Sequence, residues 1–509
     1  MCGIIGIINS PTAQYDIYNG LLTLQHRGQE SAGILTTDWQ DIFIHRGAGL
    51  VKNVFDHDIL ETFKGYTGIG QVRYPTVGSG ASREDRTKAE NKKIIQMNAQ
   101  PSYDHTPGIA TVHNGNIVNY WQLRDELISI RKYPHSDGDV DLINKSFAAA
   151  LERHTTNWNI TPDVIFDSLR EVMTDKLRGS YSALTVIQDV GVVAFRDPHG
   201  IRPFMMGEKD VLLGKKSKPV TSYGFASETV ALDALGYTRV RDVLPGEVIF
   251  IPKDRKPISR VVVPGKKPGH CMFEWIYFSR PSSSIENKNV YVVRLNLGRE
   301  LAKIIRDKKI DVDIVSPVPD TSRPTALNLA RKLEKPYIEI FDKNRYSQRS
   351  FILPTVEARK AEIKLKLTPI IYEIRNRSIL VVDDSIVRGP TSRKVCQVLR
   401  EAGAKEVHFA IACPPITKRC YLGIDMVSER ELIAARFNRD IERIRKKIGA
   451  DSLTYLPIEN MKKSIGVGSE NLCAGCLSGE YPVAVSEKEK RLFERGRHAD
   501  MGQTHIDIF

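Results

Sequence analysis

Two places in this chain carry residue types that could do chemistry. The first is Ile379-Leu380-Val381-Val382-Asp383-Asp384-Ser385-Ile386-Val387-Arg388-Gly389-Pro390-Thr391-Ser392. Four apolar residues without alternation read as a buried parallel strand. Two carboxylates stand where that strand should end, and a short loop with Ser385, Gly389, Thr391 and Ser392 follows. Arg393 to Glu401 has helical spacing, with Ala402-Gly403 as its stop. Strand, polar loop and helix aim backbone N–H groups at an anion. Ligands of open α/β sheets sit beyond the carboxyl ends of the strands. Paired Asp side chains there suit sugar hydroxyls or a magnesium ion rather than the phosphate itself. Pro390 has no N–H to give a phosphate, although it suits a first helical turn. The second place is Cys2. If Met1 is removed, one residue holds a thiol and an α-amine whose ordinary pKa is near 8. Together they form a self-contained nucleophile and general base.

The elements that must position these groups need a long chain. At 509 residues it exceeds one hydrophobic core, so two or three domains are expected. No run of eighteen apolar residues exists, so no membrane span is expected. Met1-Cys2-Gly3-Ile4-Ile5-Gly6 lacks the basic region and apolar core of a signal peptide, which points to a cytoplasmic protein. The net charge is +13, and Lys343 to Arg400 holds thirteen Lys/Arg against five Asp/Glu. That surplus surrounds the anion loop and lacks interleaved aromatic stacking pairs. A highly phosphorylated small molecule fits it better than nucleic acid. Seven cysteines with one Cys-x-x-Cys, Cys473-Ala474-Gly475-Cys476, favour metal or catalysis over disulfides. Cys396 and Cys413 read as buried small apolar residues.

Around Cys2 the text is specific. Met1-Cys2-Gly3-Ile4-Ile5-Gly6-Ile7, Leu24-Gln25-His26-Arg27-Gly28-Gln29-Glu30-Ser31-Ala32-Gly33-Ile34, Arg73-Tyr74-Pro75-Thr76 and His113-Asn114-Gly115-Asn116 follow in order. This order resembles the glutaminase domain of N-terminal-nucleophile amidotransferases. So do Arg196-Asp197-Pro198-His199-Gly200-Ile201-Arg202-Pro203 and Ala226-Ser227-Glu228-Thr229. The resemblance implies an αββα sandwich, two sheets between helix layers. It implies that the Asn114 amide and the Gly115 N–H stabilise the oxyanion of thioester formation. Arg73 would hold the glutamine carboxylate through a bidentate fork. Asp139 would hold its ammonium, with Asp137 as competitor, since Asp141 stands where the family has Glu. The insert from Ser82 to Met97 is left open between surface helix and loop. Ser182 to Ile187 and Gly191 to Phe195 read as strands, and Pro252 to Gly269 as a linker.

The acidic-pair run resembles the ribose-phosphate motif of type I phosphoribosyltransferases. Phe273-Glu274-Trp275-Ile276-Tyr277-Phe278-Ser279-Arg280-Pro281 narrows this to the glutamine phosphoribosylpyrophosphate amidotransferase family, in its iron–sulfur form. Val290 to Arg306 reads as a helix carrying Arg294 and Leu297-Gly298. Val312 to Val318 reads as a strand leading to Pro319-Asp320-Thr321-Ser322, where Ser322 is a candidate helix N-cap. The resemblance places a magnesium-binding hydroxyl on Thr321, beside Asp383 and Asp384. It makes Asp383, Asp384, Ser385, Gly389, Thr391, Ser392, Lys343 and Arg345 a site for phosphoribosyl pyrophosphate (PRPP). The basic stretch from Lys343 to Leu367, with Arg349, Arg359, Lys364 and Lys366, would close over it. Cys271, Cys420, Cys473 and Cys476 occupy the family's ligand positions for a 4Fe-4S cluster, with a four-Cys zinc site as the rival.

The expected map is a glutaminase domain at 2–255 and a linker at 256–280. A phosphoribosyltransferase parallel-sheet domain follows at 281–460, then a segment at 461–509 with the Cys-x-x-Cys and a charged tail. The expected reaction turns PRPP, glutamine and water into 5-phosphoribosylamine, glutamate and pyrophosphate, the first step of purine synthesis. Ammonia would pass internally between two sites. Expected partners are glutamine, PRPP, inhibitory purine nucleotides and further copies of the chain as a dimer or tetramer. Nucleic acid and membrane are not expected. The other readings are a different glutamine amidotransferase and a non-catalytic phosphoribosyl-fold regulator.

Overall fold

Alternation decides the first half of the chain. In the strand Gly3–Ile8, Ile4 and Ile8 enter an apolar layer with Ile69, Leu184 and Phe225. Ile5 and Ile7 face a second layer with Ile17 and Leu21 of the helix Ala13–Thr23. A strand apolar on both faces belongs inside a layered stack. The computed structural model describes residues 1–74, 87–212, 218–253, 256–343, 367–426 and 428–495, and shows that stack.

Among the described residues, an antiparallel seven-stranded sheet has the order Thr238–Asp242, Met205–Val211, Val220–Ala226, Gly3–Ile8, Thr67–Arg73, Ser31–Thr37, Ile42–Ala48. It faces a six-stranded sheet ordered Ile258–Val261, Glu247–Pro252, Gly191–Arg196, Gly179–Ile187, Ile109–Ile117, Ser102–Asp104. Helices Ala13–Thr23 and Thr229–Ala234 cover the first sheet, and Asp139–His154 and Pro162–Glu171 the second. The expected αββα layering is therefore present. Gly6 lets the sheets close, since a Cβ there would sit 2.9 Å from Leu184 Cδ1.

Two sequence readings change here. The run from Pro252 to Gly269, read as linker, contains the strand Ile258–Val261, which pairs with Glu247–Pro252 at the sheet's edge. The open question at 82–97 resolves in part. Lys88–Met97 is a helix opened by a Thr87/Glu90 capping box; residues 82–86 lie outside the described residues.

The second half is built on a parallel sheet ordered Ile314–Pro317, Ser378–Asp383, Glu406–Ile411, Ser452–Tyr455. Parallel neighbours need crossovers, and helices Arg323–Leu333, Pro390–Glu401 and Ile441–Ile448 lie in them. Leu380 and Val382 face a core containing Leu297 and Leu329, whereas Ile379 and Val381 face Val395, Leu399 and Ile444. Burial on both faces is why the run shows no alternation. Pro390 is the first residue of its helix, as expected. Ser322 stands at the N-cap of Arg323–Leu333 but makes no cap bond; its hydroxyl donates back to the Val318 carbonyl instead.

The helix Glu487–Arg495 folds back onto the body. Phe493 is buried between Trp121 and Tyr421, with ring centroids 5.2 and 5.6 Å away. No helix among the described residues is long and apolar enough to cross a membrane.

Candidate active site

Cys2 precedes a central strand whose register sets Gly3 opposite Val72. The nucleophile candidate therefore lies beside Arg73 and Tyr74. Its thiol is buried and donates to the Tyr74 carbonyl at 3.6 Å. Arg73 ends its strand and forms an ion pair with Glu30, so its guanidinium is already aimed. The α-amine, carried here by Met1, is buried, and that burial pulls its pKa down to about 4. An amine so lowered is a neutral base at pH 7.

Asn114 and Gly115 come from the facing sheet. Gln71 Nε2 donates to the His113 carbonyl at 2.8 Å and stitches the Arg73 strand to the Asn114 strand. Asn114 is buried, and its side-chain NH2 has no hydrogen-bond partner among the described residues. A buried amide donor left open costs about 1–3 kcal/mol; a substrate oxyanion would satisfy it. A Cβ on Gly115 would fall 1.9 Å from the Ser180 carbonyl oxygen, so no other residue fits. Asp139 opens the helix Asp139–His154, and its carboxylate accepts the Ile117 N–H at 3.1 Å. Asp141 is instead occupied with Ser102 Oγ and the backbone N–H groups of His135 and Ser136. Between these two carboxylates, the one toward the Asn114 strand is Asp139.

Beneath Cys2 lies a buried ion cluster. Arg27 Nε donates to the Cys2 carbonyl at 3.0 Å, while its Nη atoms reach Glu228 at 2.6 Å and Glu274 at 2.9 Å. Glu228 also accepts His26 Nε2 at 2.7 Å and Ser283 Oγ at 2.8 Å. Burial alone would raise Glu228, but His26 and Arg27 hold it below the ordinary range. A buried charge persists when it is paired and hydrogen-bonded.

The acidic pair sits at the carboxyl end of Ser378–Asp383. The Asp384 N–H donates to Asp383 Oδ1 at 2.9 Å and Ser385 Oγ to Asp384 Oδ1 at 2.7 Å. Burial, then the neighbouring Asp384, raises Asp383 well above the usual carboxylate value. Burial pushes Asp384 up to about 6, against the pull of Ser385 and Arg294. Two crowded carboxyls, Asp383 buried and Asp384 half-buried, are the arrangement a divalent cation relieves. Gly389 takes φ +93° at the cap of the next helix, a left-handed turn that suits glycine. Ser392 is buried, whereas Thr391 faces solvent. The Val318 N–H donates to the Val382 carbonyl at 2.8 Å, which brings the loop with Thr321 beside the pair. Lys343 pairs with Asp320 on that loop. Arg345, Arg349, Arg359, Lys364 and Lys366 lie outside the described residues.

The four expected thiols come from three segments. Cys271 and Cys473 are register partners in a short parallel pairing of His270–Cys271 with Leu472–Cys473. The Cys476 carbonyl accepts the Thr417 and Lys418 N–H groups at 3.1 and 2.9 Å, close to the Cys420 segment. Cys420 Sγ accepts the Leu422 N–H at 3.4 Å. Burial, and then the neighbouring thiols, hold Cys473 and Cys476 high; Cys271 is pushed up to about 11 by burial, against the pull of Arg202. Among the described residues, no three His, Cys, Asp or Glu side chains converge on a single-ion position. Cys396 and Cys413 are buried, as expected.

Sequence reasoning gave no role to Glu30, Glu228 or Glu274. Each is a lone acid in a mixed context. The usable signal was position: Glu30, Glu228 and Glu274 all lie inside motifs quoted for the resemblance. Nor did it foresee how Cys420 to Asp425 meets the first domain. Asn116 Nδ2 donates to the Tyr421 carbonyl at 2.7 Å and Ser180 Oγ to the Leu422 carbonyl at 2.8 Å. Gly423 lies against Gly115, with its would-be Cβ 3.1 Å from the Gly115 carbonyl carbon.

Comparison with known proteins agrees with this two-site arrangement. A glutamine amidotransferase domain family matches residues 90–234, and a phosphoribosyl transferase domain family matches residues 292–425. The amidophosphoribosyltransferase of Methanothermobacter thermautotrophicus is 42% identical over 490 residues, 95% of each chain. That of Escherichia coli is 40% identical over 467 residues, 91% of this chain and 88% of its own. The solved glutamine PRPP amidotransferase from B. subtilis, complexed with ADP and GMP, superposes with a TM-score of 0.80 at 35% identity. It covers 96% of this chain and 98% of that one. With both catalytic folds in order and relatives this similar along nearly the whole length, the chain belongs to the amidophosphoribosyltransferase family.

Proposed function

We propose that this chain makes 5-phosphoribosylamine from glutamine and PRPP at two sites in one polypeptide. Family membership carries the reaction, which opens purine synthesis. The residue roles rest on chemistry. Once Met1 is removed, the Cys2 thiolate attacks the glutamine carboxamide, and the freed α-amine takes the thiol proton and returns it to the departing ammonia. The open Asn114 amide and the Gly115 N–H stabilise the oxyanion. Arg73 holds the substrate carboxylate and Asp139 its ammonium. Water then releases glutamate from the thioester. Ammonia must travel inside the protein, because protonation in water would end its nucleophilicity. At the second site it displaces pyrophosphate from the sugar's C1. Asp383 and Asp384 hold the ribose hydroxyls, and Ser385, Gly389, Thr391 and Ser392 hold the 5-phosphate. Lys343 and Arg345 hold the pyrophosphate.

Magnesium, held by Asp383, Asp384 and Thr321, would neutralise charge on the leaving pyrophosphate. The four cysteines suit a 4Fe-4S cluster with a structural or oxygen-sensing role and no electron transfer in the reaction. The rival reading is a four-Cys zinc site. The proposed domain map is 2–255, 256–280, 281–460 and 461–509, and within the second range the strand Ile258–Val261 pairs back onto Glu247–Pro252 of the six-stranded sheet. Purine nucleotides as inhibitors, a dimer or tetramer, and a cytoplasmic setting complete the proposal.

Glutamine-dependent release of pyrophosphate from PRPP tests the reaction. Glutamate and pyrophosphate should appear in equal amounts; glutamate without pyrophosphate would refute it. Anaerobically purified protein should contain about four iron and four sulfide per chain. Stoichiometric zinc without iron would assign the cysteines to the rival site.

A further inference from the structure

Asp141 and Lys145 stand one turn apart on the helix Asp139–His154, and both are buried, at 2% and 4% exposure. Residues four apart share a helix face. This face grips two neighbours at once. Asp141 accepts Ser102 Oγ at 2.7 Å, the Ser136 N–H at 2.8 Å and the His135 N–H. Lys145 Nζ pairs with Asp104 at 2.9 Å and lies 3.3 Å from His135 Nε2. Ser102 and Asp104 are alternate residues of one strand, so they point to the same side. His135 is therefore held by its backbone and its ring, and the strand at two points.

What the clamp holds is set by the chain on either side. His135 and Ser136 belong to no strand or helix, so side-chain acceptors must take their backbone donors. The chain then runs directly into Asp137 and Asp139, both buried, the two candidates for glutamine's ammonium. The clamped strand leads to the opposite edge of that site. Two residues before Ser102, Gln100 Oε1 accepts the His113 N–H at 2.7 Å, next to Asn114. Arg46 Nη1 fixes the same segment through the Ala99 and Pro101 carbonyls at 3.1 and 2.7 Å. The ammonium side and the oxyanion side thus hang on one segment, 99–104. Burying a lysine and a carboxylate is costly even when they are paired, and apolar side chains would fill the space at less cost. Apolar contacts have no direction, whereas these hydrogen bonds fix where the loop stands.

We propose that Asp141 and Lys145 are positioning residues for glutamine, which clamp the loop leading to the ammonium-binding carboxylate onto the segment that supports the oxyanion strand. They act through the loop and set the span between the two ends of the substrate. This rests on the glutamine site proposed above. The ammonium lies far from the reacting carboxamide, so a misplaced carboxylate weakens ground state and transition state alike. Such a loss of uniform binding raises KM and spares kcat.

Lys145→Met keeps the stem and removes the ammonium. Asp141→Asn keeps the shape, removes the charge and brings an NH2 against N–H donors. With glutamine, Lys145→Met should raise KM about tenfold and Asp141→Asn about thirtyfold, with kcat within about threefold in each. Synthesis from ammonia should stay within about twofold. Iodoacetamide should alkylate Cys2 at the unaltered rate in both variants, because the nucleophile is untouched. Protection of Cys2 by glutamate should need about ten times more glutamate in Lys145→Met, in line with its KM. The double variant should raise KM by no more than about threefold beyond Asp141→Asn, because both residues act on one loop. If Asp141→Asn does not fold, His135→Ala removes only the ring beside Lys145 and should raise KM about threefold. Unchanged KM and unchanged protection in Lys145→Met and His135→Ala would overturn the clamp and leave the glutamine site standing. So would a fall in kcat and in alkylation rate with KM unmoved, the mark of a merely structural role. If glutamate gave Cys2 no protection in the unaltered chain, the glutamine site itself would be wrong, and the clamp with it.

Discussion

Cys2→Ala removes glutamine-dependent synthesis and leaves ammonia-dependent synthesis within about twofold of the unaltered chain. The loss should be about 10⁴-fold or more, as is usual when a nucleophile is deleted. Alanine offers no sulfur for the thioester, and neither Arg73 nor Asn114 can substitute for it. Survival of the second activity follows from how Cys2 is anchored. Arg27 holds its backbone carbonyl rather than its thiol. The ion cluster with Glu228 and Glu274 therefore stays in place in the variant. The thiol's own contact, to the Tyr74 carbonyl at 3.6 Å, is weak, so little stability leaves with it. Paired assays with glutamine and with ammonium at pH 8 or above check this, since the neutral amine is the reacting form. If a folded Cys2→Ala protein also lost the ammonia reaction, the two activities would share one site rather than two.

Much of this was legible because burial leaves a pattern. Ile379 to Val382 lacks alternation because both faces are covered, and that alone placed Asp383 and Asp384 at the end of a parallel strand. Ile4, Ile5, Ile7 and Ile8 say the same of the strand behind Cys2. The strand Ile258–Val261 was hidden for the opposite reason. It lies at the edge of its sheet, where charge and proline are tolerated on exposed positions, so its basic, proline-rich surroundings read as linker. Ser322 misled because N-cap residue types mark a tendency, and here the Val318 carbonyl took its hydroxyl. The partners of Arg27 were illegible in principle. Glu228 and Glu274 lie 201 and 247 residues away, and nothing local marks a lone acid as one that will be buried. Only the fold brings them under Cys2.

Asp384→Asn should cost synthesis heavily and stabilise the protein without magnesium, two effects of opposite sign at one atom. Loss of a carboxylate that orders the sugar and its metal should lower ammonia-dependent synthesis by about 10²-fold or more, the scale seen when one preorganised electrostatic contact is removed. Glutamine hydrolysis at Cys2 should continue. The stability gain comes from the crowding of the pair. Burial, against Ser385 and Arg294, sets the Asp384 carboxyl at about 6, above its ordinary 3.8. A raised acid binds its proton more tightly in the folded state. Its contribution is therefore fully present below pH 3.8 and is lost as pH rises through about 6. At pH 8 the native state carries the Asp384 charge crowded against Asp383, and asparagine would remove it while its amide oxygen still accepts from Ser385 Oγ. Each kcal/mol so relieved is worth roughly 2–4 °C in a domain of this size. Calorimetry in chelator should show the variant melting higher than the parent at pH 8, with the gap closing at pH 5 as the parent takes up its proton. Magnesium with PRPP should then raise the melting temperature of the parent and not that of the variant. A variant that melts lower at pH 8, or whose gap is the same at both pH values, would mean that the pair is not strained by its own charge. The case for a cation between Asp383, Asp384 and Thr321 would lose its physical ground.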